Sequence, residues 1–446
     1  MSALLHKKTA SYTLYIFFIV TMNKFKLVHN DTMQNNLRKT IFSIALALSV
    51  GNVLAASYDT LPKGVRIGGF RHVLTDGINS DYGSSTTESK YALKESLDAK
   101  NLETINEATK EYFKQLKSIN SGAYENFTFG EYSADAEGKV SVNGFGLGWG
   151  ITNKLTAYFS VPIYSANVKL NISRTKGNNH QQTINQINQG GSLTAEQKIV
   201  RDITAQLPDA KEELLQSIIV NYYQYKPIGN WEAQGLGDTE VGAIYRLTEG
   251  QDYGAAIAGG VILPTGRVDD PDILQDISFG DGQADVFAET FLGKSFFKGK
   301  LDLDLNLRYT YQIQSEKRLR VPDSYDFPLS RETGTFNEKL GNKVNLSFGP
   351  TYHFTNWASL STTYGYERQG ISEYESVHTE ANKILAMDSD NESHNIRVAA
   401  SFSTVTLYQL QKFVMPLSLS LRAQTKVAGR NTPKHSQYEL DVKFFF

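Results

Sequence analysis

The chain of 446 residues contains no cysteine, which excludes disulfide bonds and thiolate metal sites. Its formal net charge at pH 7 is only −2, which argues against a surface that binds nucleic acid or another polyanion. No run of about 18 or more uncharged apolar residues occurs, so the sequence predicts no membrane-spanning helix. It also shows no nucleophile–base motif, phosphate-binding loop or metal-ligand cluster. We therefore expect neither an enzyme nor a bound cofactor.

An apolar segment near the N-terminus predicts a secretory signal peptide at residues 33–56. It has a basic start, an apolar stretch too short to span a membrane, and small residues where a peptidase cuts. Val53 and Ala55 fit the −3 and −1 positions, which predicts cleavage after Ala55 or the alanine that follows it. We expect Met33 to be the true start and residues 1–32 to be an upstream extension. A start at the first methionine, with a double signal, is the alternative.

The end of the chain alternates between apolar and polar residues. Successive side chains of an extended strand point to opposite faces, so this segment predicts a strand with one apolar and one charged face. A phenylalanine at the last position of the apolar face resembles the C-terminal assembly signal of bacterial outer-membrane β-barrels. The predicted assembly signal consists of Tyr438, Leu440, Val442, Phe444 and Phe446.

The same alternation recurs along the chain. Residues 301–313 alternate without interruption, which is longer than the usual soluble strand of about five or six residues. A strand of this length can cross a hydrocarbon core when it is tilted. The pattern predicts about twelve strands, near 64–74, 139–151, 154–173, 235–248, 253–264, 281–296, 300–316, 342–355, 358–370, 392–406, 412–427 and 436–446.

The connections between these strands are alternately short and long, as in outer-membrane barrels. We therefore predict an all-β fold, a transmembrane antiparallel β-barrel of about twelve strands within residues 57–446, with both termini in the periplasm. A soluble β-sandwich explains part of the alternation, but not the strand lengths together with the order of connections. Two long connections, near 75–138 and 174–234, are predicted to be partly helical outer loops.

Three local features refine this prediction. The alternation of the second strand changes phase between Val142 and Phe145, which predicts a β-bulge between them. Thr86–Ile119 is rich in helix-forming residues, and Thr194–Tyr225 has apolar residues at spacings near three and four, so both segments predict helices. The Asn- and Gln-rich stretch Asn178–Gln189 predicts a mobile loop tip.

Charged residues on the inward faces form two opposed groups. The acidic group, on strands four, six and seven, consists of Asp238, Glu240, Asp285, Glu289, Asp302 and Asp304. The basic group, on strands ten to twelve, consists of Arg397, Arg422, Lys426 and Lys443. Facing each other in a closed ring, they set up a transverse field that orients dipolar solutes and sorts ions. The alternative is that the charges pair across a filled lumen and stabilise it. Arg308 among the acids and Glu439 among the bases indicate local pairing.

Two weaker candidates for chemistry remain. An acidic loop has the oxygen ligands that a divalent cation prefers, but it lacks calcium-loop spacing, and a solvated acidic loop is favoured. Its acidic residues are Asp269, Asp270, Asp272, Asp276 and Asp281. A lipid hydrolase needs a histidine and a serine together on the lipid-facing wall. His394 is predicted to face outward while the adjacent Ser393 faces inward, so the hydrolase is the least favoured interpretation.

Three glycine-rich blocks occur in the middle of the chain: Gly-Leu-Gly-Asp at 235–238, Leu-Pro-Thr-Gly at 263–266 and Gly-Asp-Gly-Gln-Ala-Asp at 280–285. Together with Gly146–Thr156, their order and spacing resemble a family of outer-membrane proteins linked to the meta-pathway of phenol degradation. The resemblance covers residues 140–355 and implies a channel that takes up aromatic or other hydrophobic compounds, without catalytic residues. The two helical insertions depart from the compact family pattern.

The sequence therefore predicts a bacterial outer-membrane channel for small solutes, with aromatic or hydrophobic compounds as candidates. The expected partners are outer-membrane lipid, periplasmic chaperones, the barrel-assembly machinery and a small-molecule solute that the sequence does not identify. The first alternative is a non-conducting structural or surface-binding barrel whose outer helical loops bind a ligand or partner. An outer-membrane lipid hydrolase comes third. Strand count does not decide between them, because twelve strands lie between filled eight-stranded barrels and wide porins.

Overall fold

The structure is a computed structural model that describes residues 58–103, 107–189, 191–209, 211–250, 252–322 and 329–446. The predicted signal peptide, its cleavage site and the predicted upstream extension lie outside the described residues. The choice between Met1 and Met33 as the start therefore stays a prediction.

Twelve antiparallel strands of the described residues close into one barrel. Each strand pairs with its neighbours in the chain, and the first strand pairs with the last to close the ring. The strands are β1 (Arg66–Thr75), β2 (Thr128–Thr152), β3 (Leu155–Lys176), β4 (Thr239–Glu249), β5 (Tyr253–Leu263), β6 (Asp285–Phe296), β7 (Leu301–Gln312), β8 (Lys343–Thr355), β9 (Ala358–Gln369), β10 (Asn391–Ser403), β11 (Leu417–Arg430) and β12 (Ser436–Phe445). The predicted fold class is confirmed. Most strand boundaries agree to within a few residues, but β2 begins well before the predicted position.

Successive side chains of β12 alternate between the outer, lipid-facing surface and the lumen. Tyr438 and Phe444 are 58% and 45% exposed on the outer surface, whereas the intervening Glu439 and Asp441 are 5% and 3% exposed inside. All five residues of the predicted assembly signal lie on the outward face, and Phe446 closes the seam through backbone hydrogen bonds with Arg66. A closed ring pairs every strand edge, so the apolar outer face can lie in lipid.

The long connections lie at one end of the barrel, which we call the outer end, and the short ones lie at the periplasmic end. Four of the predicted short connections are tight turns. The fifth, between β10 and β11, is longer than predicted, because residues 404–416 form a short helix and an exposed apolar segment. Its Val414 is 88% exposed.

The predicted bulge in β2 is wrong. The pairing of β2 with β3 runs without a shift from Tyr132 to Gly150. Val140 and Val142 are buried inside the barrel, whereas Phe145 lies on its outer surface. The apolar residues of β2 change from the inward to the outward face because the lumen is apolar near the outer end. Inward-facing valines are therefore tolerated in this part of the strand.

A second layer covers the outer end. Its helices are α1 (Ala99–Leu102), α2 (Glu107–Ile119), α3 (Ser121–Asn126), α4 (His180–Asn188), α5 (Ala195–Gln206), α6 (Glu212–Ser217), the π-helix Ile218–Tyr222 and α7 (Thr379–Ala386). One further helix of the described residues, α8 (Val405–Gln409), lies at the periplasmic end. Additional strands are Ser80–Tyr82, Glu88–Lys90, Ala92–Asp98, Trp231–Leu236, Ser315–Arg320, Thr333–Lys339, Glu373–Glu375 and Thr432–Lys434. Across the part of the chain described, none of the helices is both long and apolar enough to cross a membrane.

Two predictions for these loops need correction. Thr86–Ile119 is helical only in its second half, because Ala92–Asp98 pairs with the part of β2 that extends beyond the rim. That edge carries unpaired backbone groups, and pairing them outweighs the helical preference of the segment. The predicted mobile tip Asn178–Gln189 contains α4, which is held by the burial of His180, Thr183 and Ile187. The helices predicted within Thr194–Tyr225 are present as α5 and α6.

Candidate functional site: the charged lumen

A cavity of about 960 Å³ occupies the barrel interior. It begins at the periplasmic turns, where Gly299 and Trp357 line it, and reaches Asp281 and Asn391 near the outer end. Most of its wall comes from inward-facing polar and charged side chains of β3, β4 and β6–β12. The lumen therefore contains open space beside fixed charges.

The predicted acidic residues all line this cavity. They are Asp238, Glu240, Asp285, Glu289, Asp302 and Asp304. Arg308 of β7 lies among them, with guanidinium nitrogens 2.7 Å from Glu240 Oε2 and 3.7 Å from Glu289 Oε2. The Tyr158 hydroxyl donates to Glu240 Oε1 at 2.8 Å. His353 also lines the cavity, with Nε2 2.8 Å from Asp302 Oδ2. Arg308 therefore neutralises only part of the negative charge of the acidic wall.

The predicted basic residues divide into two pairs. Arg397 and Arg422 line the cavity, whereas Lys426 and Lys443 are buried within the wall. Arg422 NH1 lies 3.3 Å from Glu439 Oε2, and Lys443 Nζ lies 3.7 Å from Asp441 Oδ1. Lys426 Nζ donates to Thr432 Oγ1 at 2.6 Å, and Lys426 pairs in the sheet with Asn395, which lines the cavity.

Arg71 of β1 belongs to the same basic wall and was missed by sequence reasoning. Its Nε donates to Asp441 Oδ2 at 2.7 Å, and its side chain lines the cavity. The signal was present in the alternation of β1, since Arg71 is directly opposite Asp441 in the register of the seam. An inward-facing residue on β12 therefore implies an inward-facing residue at position 71.

The three glycine-rich blocks meet at the outer rim of the cavity, around Asp238. The Gly266 N–H donates to Asp238 Oδ1 at 2.9 Å, and the Asp281 N–H donates to Oδ2 at 3.3 Å. A Cβ atom on Gly266 would lie 2.8 Å from Asp238 Oδ1, and one on Gly280 would collide with the same oxygen. The blocks therefore fasten residues 263–285 to the wall of the barrel.

An apolar cluster narrows the lumen above this point. The ring of Phe279 stacks on Tyr164 with centroids 5.4 Å apart, and both are buried together with Val140, Val142 and Ile277. These residues come from β2, β3 and the 263–285 connection. They form an outer cap on the side of the barrel where β2 and β3 rise beyond the rim.

The first described residues cross the periplasmic mouth. Tyr58 packs in a cluster with Tyr158, Phe287 and Phe291. An added Cβ on Gly293 would lie 2.6 Å from the Tyr58 ring. The segment is fastened further along by a hydrogen bond from the Leu61 N–H to Thr156 Oγ1 at 2.8 Å. Tyr58 also lines the cavity, so this segment shapes its periplasmic end.

The weaker candidates are placed as follows. His394 Nδ1 lies 2.6 Å from the Tyr364 hydroxyl, while Ser393 is buried on the opposite face near Glu367. The histidine and the serine are thus on different sides of the wall, which does not suit a hydrolase.

The acidic loop is partly exposed and is held by salt bridges, and its carboxylates are not arranged around a cation. Asp270 pairs with Lys226 at 2.7 Å, and Asp276 pairs with Arg267 at 2.8 Å. Asp272 pairs with Arg320 at 2.5 Å. No trio of metal-ligating side chains placed to hold an ion is found among the residues that the structure describes.

The closed ring of strands, the apolar outward face and the charged interior define a transmembrane β-barrel of the bacterial outer-membrane class. The predicted localisation follows from this fold.

The chain matches no known protein-family model and no curated protein. Among solved structures it is similar to an outer membrane channel from Pseudomonas putida F1, with 14% identity over 87% of this chain and 98% of that chain and a TM-score of 0.48. It is also similar to the CymD monoaromatic hydrocarbon channel, with 11% identity over 92% and 96% of the two chains and a TM-score of 0.32. The toluene transporter TodX of Pseudomonas putida gives 10% identity over 86% and 90% and a TM-score of 0.30. With TM-scores below 0.5, the likeness identifies no solute.

Proposed function

We propose that the protein is an outer-membrane channel for small solutes. The observation that carries the proposal is the cavity of about 960 Å³ inside the barrel, which extends to the periplasmic turns. Its walls are polar, so water and dissolved solutes can occupy it. A barrel that served only as a membrane anchor has no need of such a space.

The pairing of the charges supports an open lumen. Arg308 pairs with Glu240 and Glu289 on its own side of the barrel. Arg71 and Arg422 pair with Asp441 on neighbouring strands of the other side. Charges that filled the lumen would pair between opposite walls. Pairing within each wall instead leaves the centre free.

Aromatic compounds are the candidate solutes, because the glycine-rich blocks resemble a family implicated in their uptake. The link to a phenol-degradation pathway stays a prediction. Charged walls favour aromatic compounds that also carry polar groups, since an apolar ring alone gains little from displacing the water that hydrates these charges.

The test is the ion conductance of the purified protein in planar lipid bilayers. We expect discrete conductance steps. The Phe279→Ala variant should conduct more than the native protein, because the ring belongs to the outer cap. A folded barrel that gives no steps, either native or as Phe279→Ala, would contradict the channel proposal.

The second candidate is a barrel whose outer helical layer binds a ligand or partner. The observation that favours it is the separate apolar core of this layer, in which Phe113, Leu116, Phe127 and Phe129 are completely buried. Such a core makes the layer a folded unit and not a set of loose loops. This candidate predicts a closed native barrel, so the same conductance measurement separates the two.

A further inference from the structure

The acidic wall of the lumen contains more carboxylates than basic groups. Arg308 pairs with two of the carboxylates, at 2.7 Å and 3.7 Å, and Lys343 of β8 attracts two others through space. Together with the adjoining Asp281, the wall has seven carboxylates beside these two bases: Asp238, Glu240, Asp281, Asp285, Glu289, Asp302 and Asp304. The wall therefore keeps an excess of negative charge.

The basic wall is closer to neutral. Its five bases, Arg71, Arg397, Arg422, Lys426 and Lys443, lie among the three carboxylates Glu367, Glu439 and Asp441. Two further pairs near the cavity are balanced: Asp59 lies 3.6 Å from Arg246, and Arg368 is opposite Glu392 in the register of β9 and β10. Within the part of the chain that the structure describes, the two walls have ten carboxylates and seven bases. The lumen therefore carries a net negative charge.

Two carboxylate oxygens near the outer end of the cavity have no hydrogen-bond donor. Asp285 Oδ2 accepts a hydrogen bond from Gln312 Nε2 at 2.6 Å, but its Oδ1 is buried without a partner. Asp281 Oδ1 accepts from the Gln283 N–H at 2.9 Å, but its Oδ2 is buried in the same state. Both aspartates are 2% exposed and line the cavity. Since a buried carboxylate oxygen without a donor costs free energy, these oxygens favour a ligand that brings N–H groups.

The bases near these oxygens leave part of their charge uncompensated. Lys343 attracts both Asp285 and Asp238, so one ammonium is shared by two carboxylates. Lys317 attracts the other aspartate, but its Nζ pairs with Glu338 Oε2 at 2.7 Å. The outer end of the cavity therefore keeps a local excess of carboxylates.

The periplasmic end of the cavity is acidic as well. Asp302 and Asp304 lie near the start of β7, just after the turn from β6, and both line the cavity. The partners of Asp302 are a hydroxyl and an imidazole, from Ser295 and His353. A solute that crosses the lumen therefore passes carboxylates near both ends.

We propose that the channel selects cations and that its solute is a small organic ammonium ion, and this proposal rests on the channel function above. A lumen with excess carboxylates concentrates cations and repels anions. The ammonium N–H groups donate to the unpartnered oxygens of Asp281 and Asp285, and a hydrogen bond between two charged groups is stronger than one between neutral groups. Asp281 and Asp285 are thus the residues that determine specificity.

The first test measures ion selectivity. The purified protein is placed in planar bilayers with a KCl gradient at pH 8, where the carboxylates are ionised, and the reversal potential gives the permeability of K⁺ relative to Cl⁻. We expect K⁺ to permeate more readily than Cl⁻. The preference should fade in 1 M salt, where the screening length is about 3 Å.

The second test compares solutes that share one aromatic ring: benzylammonium, benzyl alcohol, benzoate and benzyltrimethylammonium. The reduction of ion current at pH 8 measures occupancy of the lumen. We expect benzylammonium to halve the current at a concentration roughly tenfold lower than benzyl alcohol, since a hydrogen bond to a charged group is worth about this factor or more. Benzoate should be the weakest. Benzyltrimethylammonium should be weaker than benzylammonium, because it carries the charge without an N–H donor.

Two single variants test the assigned residues. Asp281→Asn and Asp285→Asn keep the oxygen that accepts from Gln283 or Gln312 and replace the unpartnered oxygen with an NH2 group. Each should lower the preference for K⁺ and for benzylammonium. Asp135→Asn is the matched control, because Asp135 is an exposed carboxylate on the outer part of β2 that accepts from Asn171 at 2.9 Å. Heat-modifiable migration in gels reports whether each variant is folded.

The outcomes separate this inference from the channel function. A conducting protein that favours neither ion, and that the four solutes block equally, overturns the cation proposal and leaves the channel intact. A protein that conducts no ions overturns the channel function itself. Equal block by benzylammonium and benzyltrimethylammonium contradicts the N–H contacts, and a preference unchanged in both aspartate variants contradicts the assigned residues.

Discussion

Gly266 donates its backbone N–H to Asp238 Oδ1 at 2.9 Å, and this hydrogen bond joins two of the glycine-rich blocks that are 28 residues apart in the chain. The third block adds the Asp281 N–H to the other carboxylate oxygen. The glycines are explained by this arrangement, since a side chain at position 266 or 280 would occupy the space of the Asp238 carboxylate.

The first prediction concerns this junction. Gly280→Ala should lower the free energy of unfolding by about 1–3 kcal/mol, as overpacking usually does. Gly83→Ala is the control, because an added Cβ there meets no atom within 4 Å. Denaturant unfolding of the purified barrels measures both. Equal stability of the two variants would show that the carboxylate can move aside without cost.

The second prediction concerns the outer cap. Phe279→Ala should raise single-channel conductance, because it removes the ring that stacks on Tyr164 at the outer end of the cavity. It should also cost about 3–5 kcal/mol of stability, as for other buried phenylalanines. Phe297→Ala serves as the control, since Phe297 is 75% exposed in the turn between β6 and β7. Unchanged conductance for folded Phe279→Ala would place the barrier elsewhere.

The third prediction concerns pH. Burial lowers the pKa of His180 to about 4 from the usual 6.5, and its ring packs against Phe127 and Phe129 in the outer layer. The unfolded state therefore binds a proton first as the pH falls. The outer layer should lose stability between about pH 6.5 and pH 4, by at most about 3 kcal/mol.

Limited proteolysis of the outer helices across this pH range measures the effect. His180→Phe keeps an aromatic ring and removes the titrating group, so its proteolysis should depend less on pH than that of the native protein. The same pH dependence in both proteins would assign the acid sensitivity to other groups.

The fourth prediction concerns assembly. Phe446→Asp should reduce insertion into the outer membrane while secretion to the periplasm continues, because it places a charge at the lipid-facing end of β12. Val377→Asp is the matched control, since Val377 is 90% exposed in an outer connection. Fractionation and heat-modifiable migration report folded protein. Normal insertion of Phe446→Asp would mean that the terminal residue is not part of an assembly signal.

The barrel was predictable from the sequence because lipid and lumen impose opposite polarities on alternate residues. Leu307 and Arg308 of β7 illustrate this, with the leucine on the outer surface and the arginine buried inside. Alternation failed where the lumen is apolar, as at Val142, since an inward valine cannot be distinguished from an outward one by polarity. The strand at Ala92–Asp98 was missed because its partner, the extended edge of β2, is a tertiary feature.

The hydrogen-bond and salt-bridge partners of the charged groups could not be predicted from the sequence either. The alternation predicted that Arg422 and Lys426 face inward, but not that Arg422 lines the cavity while Lys426 is buried in the wall beside Thr432. Likewise, the charges of Asp270 and Asp272 suggested a solvated loop, because their partners Lys226 and Arg320 are distant in the chain.

The seam between β1 and β12 has a consequence for how the protein is made. Arg71 and Asp441 meet across it although 370 residues separate them in the chain. Until β12 has been synthesised and delivered, β1 has one edge without a partner, and such an edge can pair with another chain. Contacts between residues so far apart in sequence form slowly. We therefore expect the chain to be prone to aggregation before the barrel closes, and to depend on periplasmic chaperones that shield β1 until the last strand arrives.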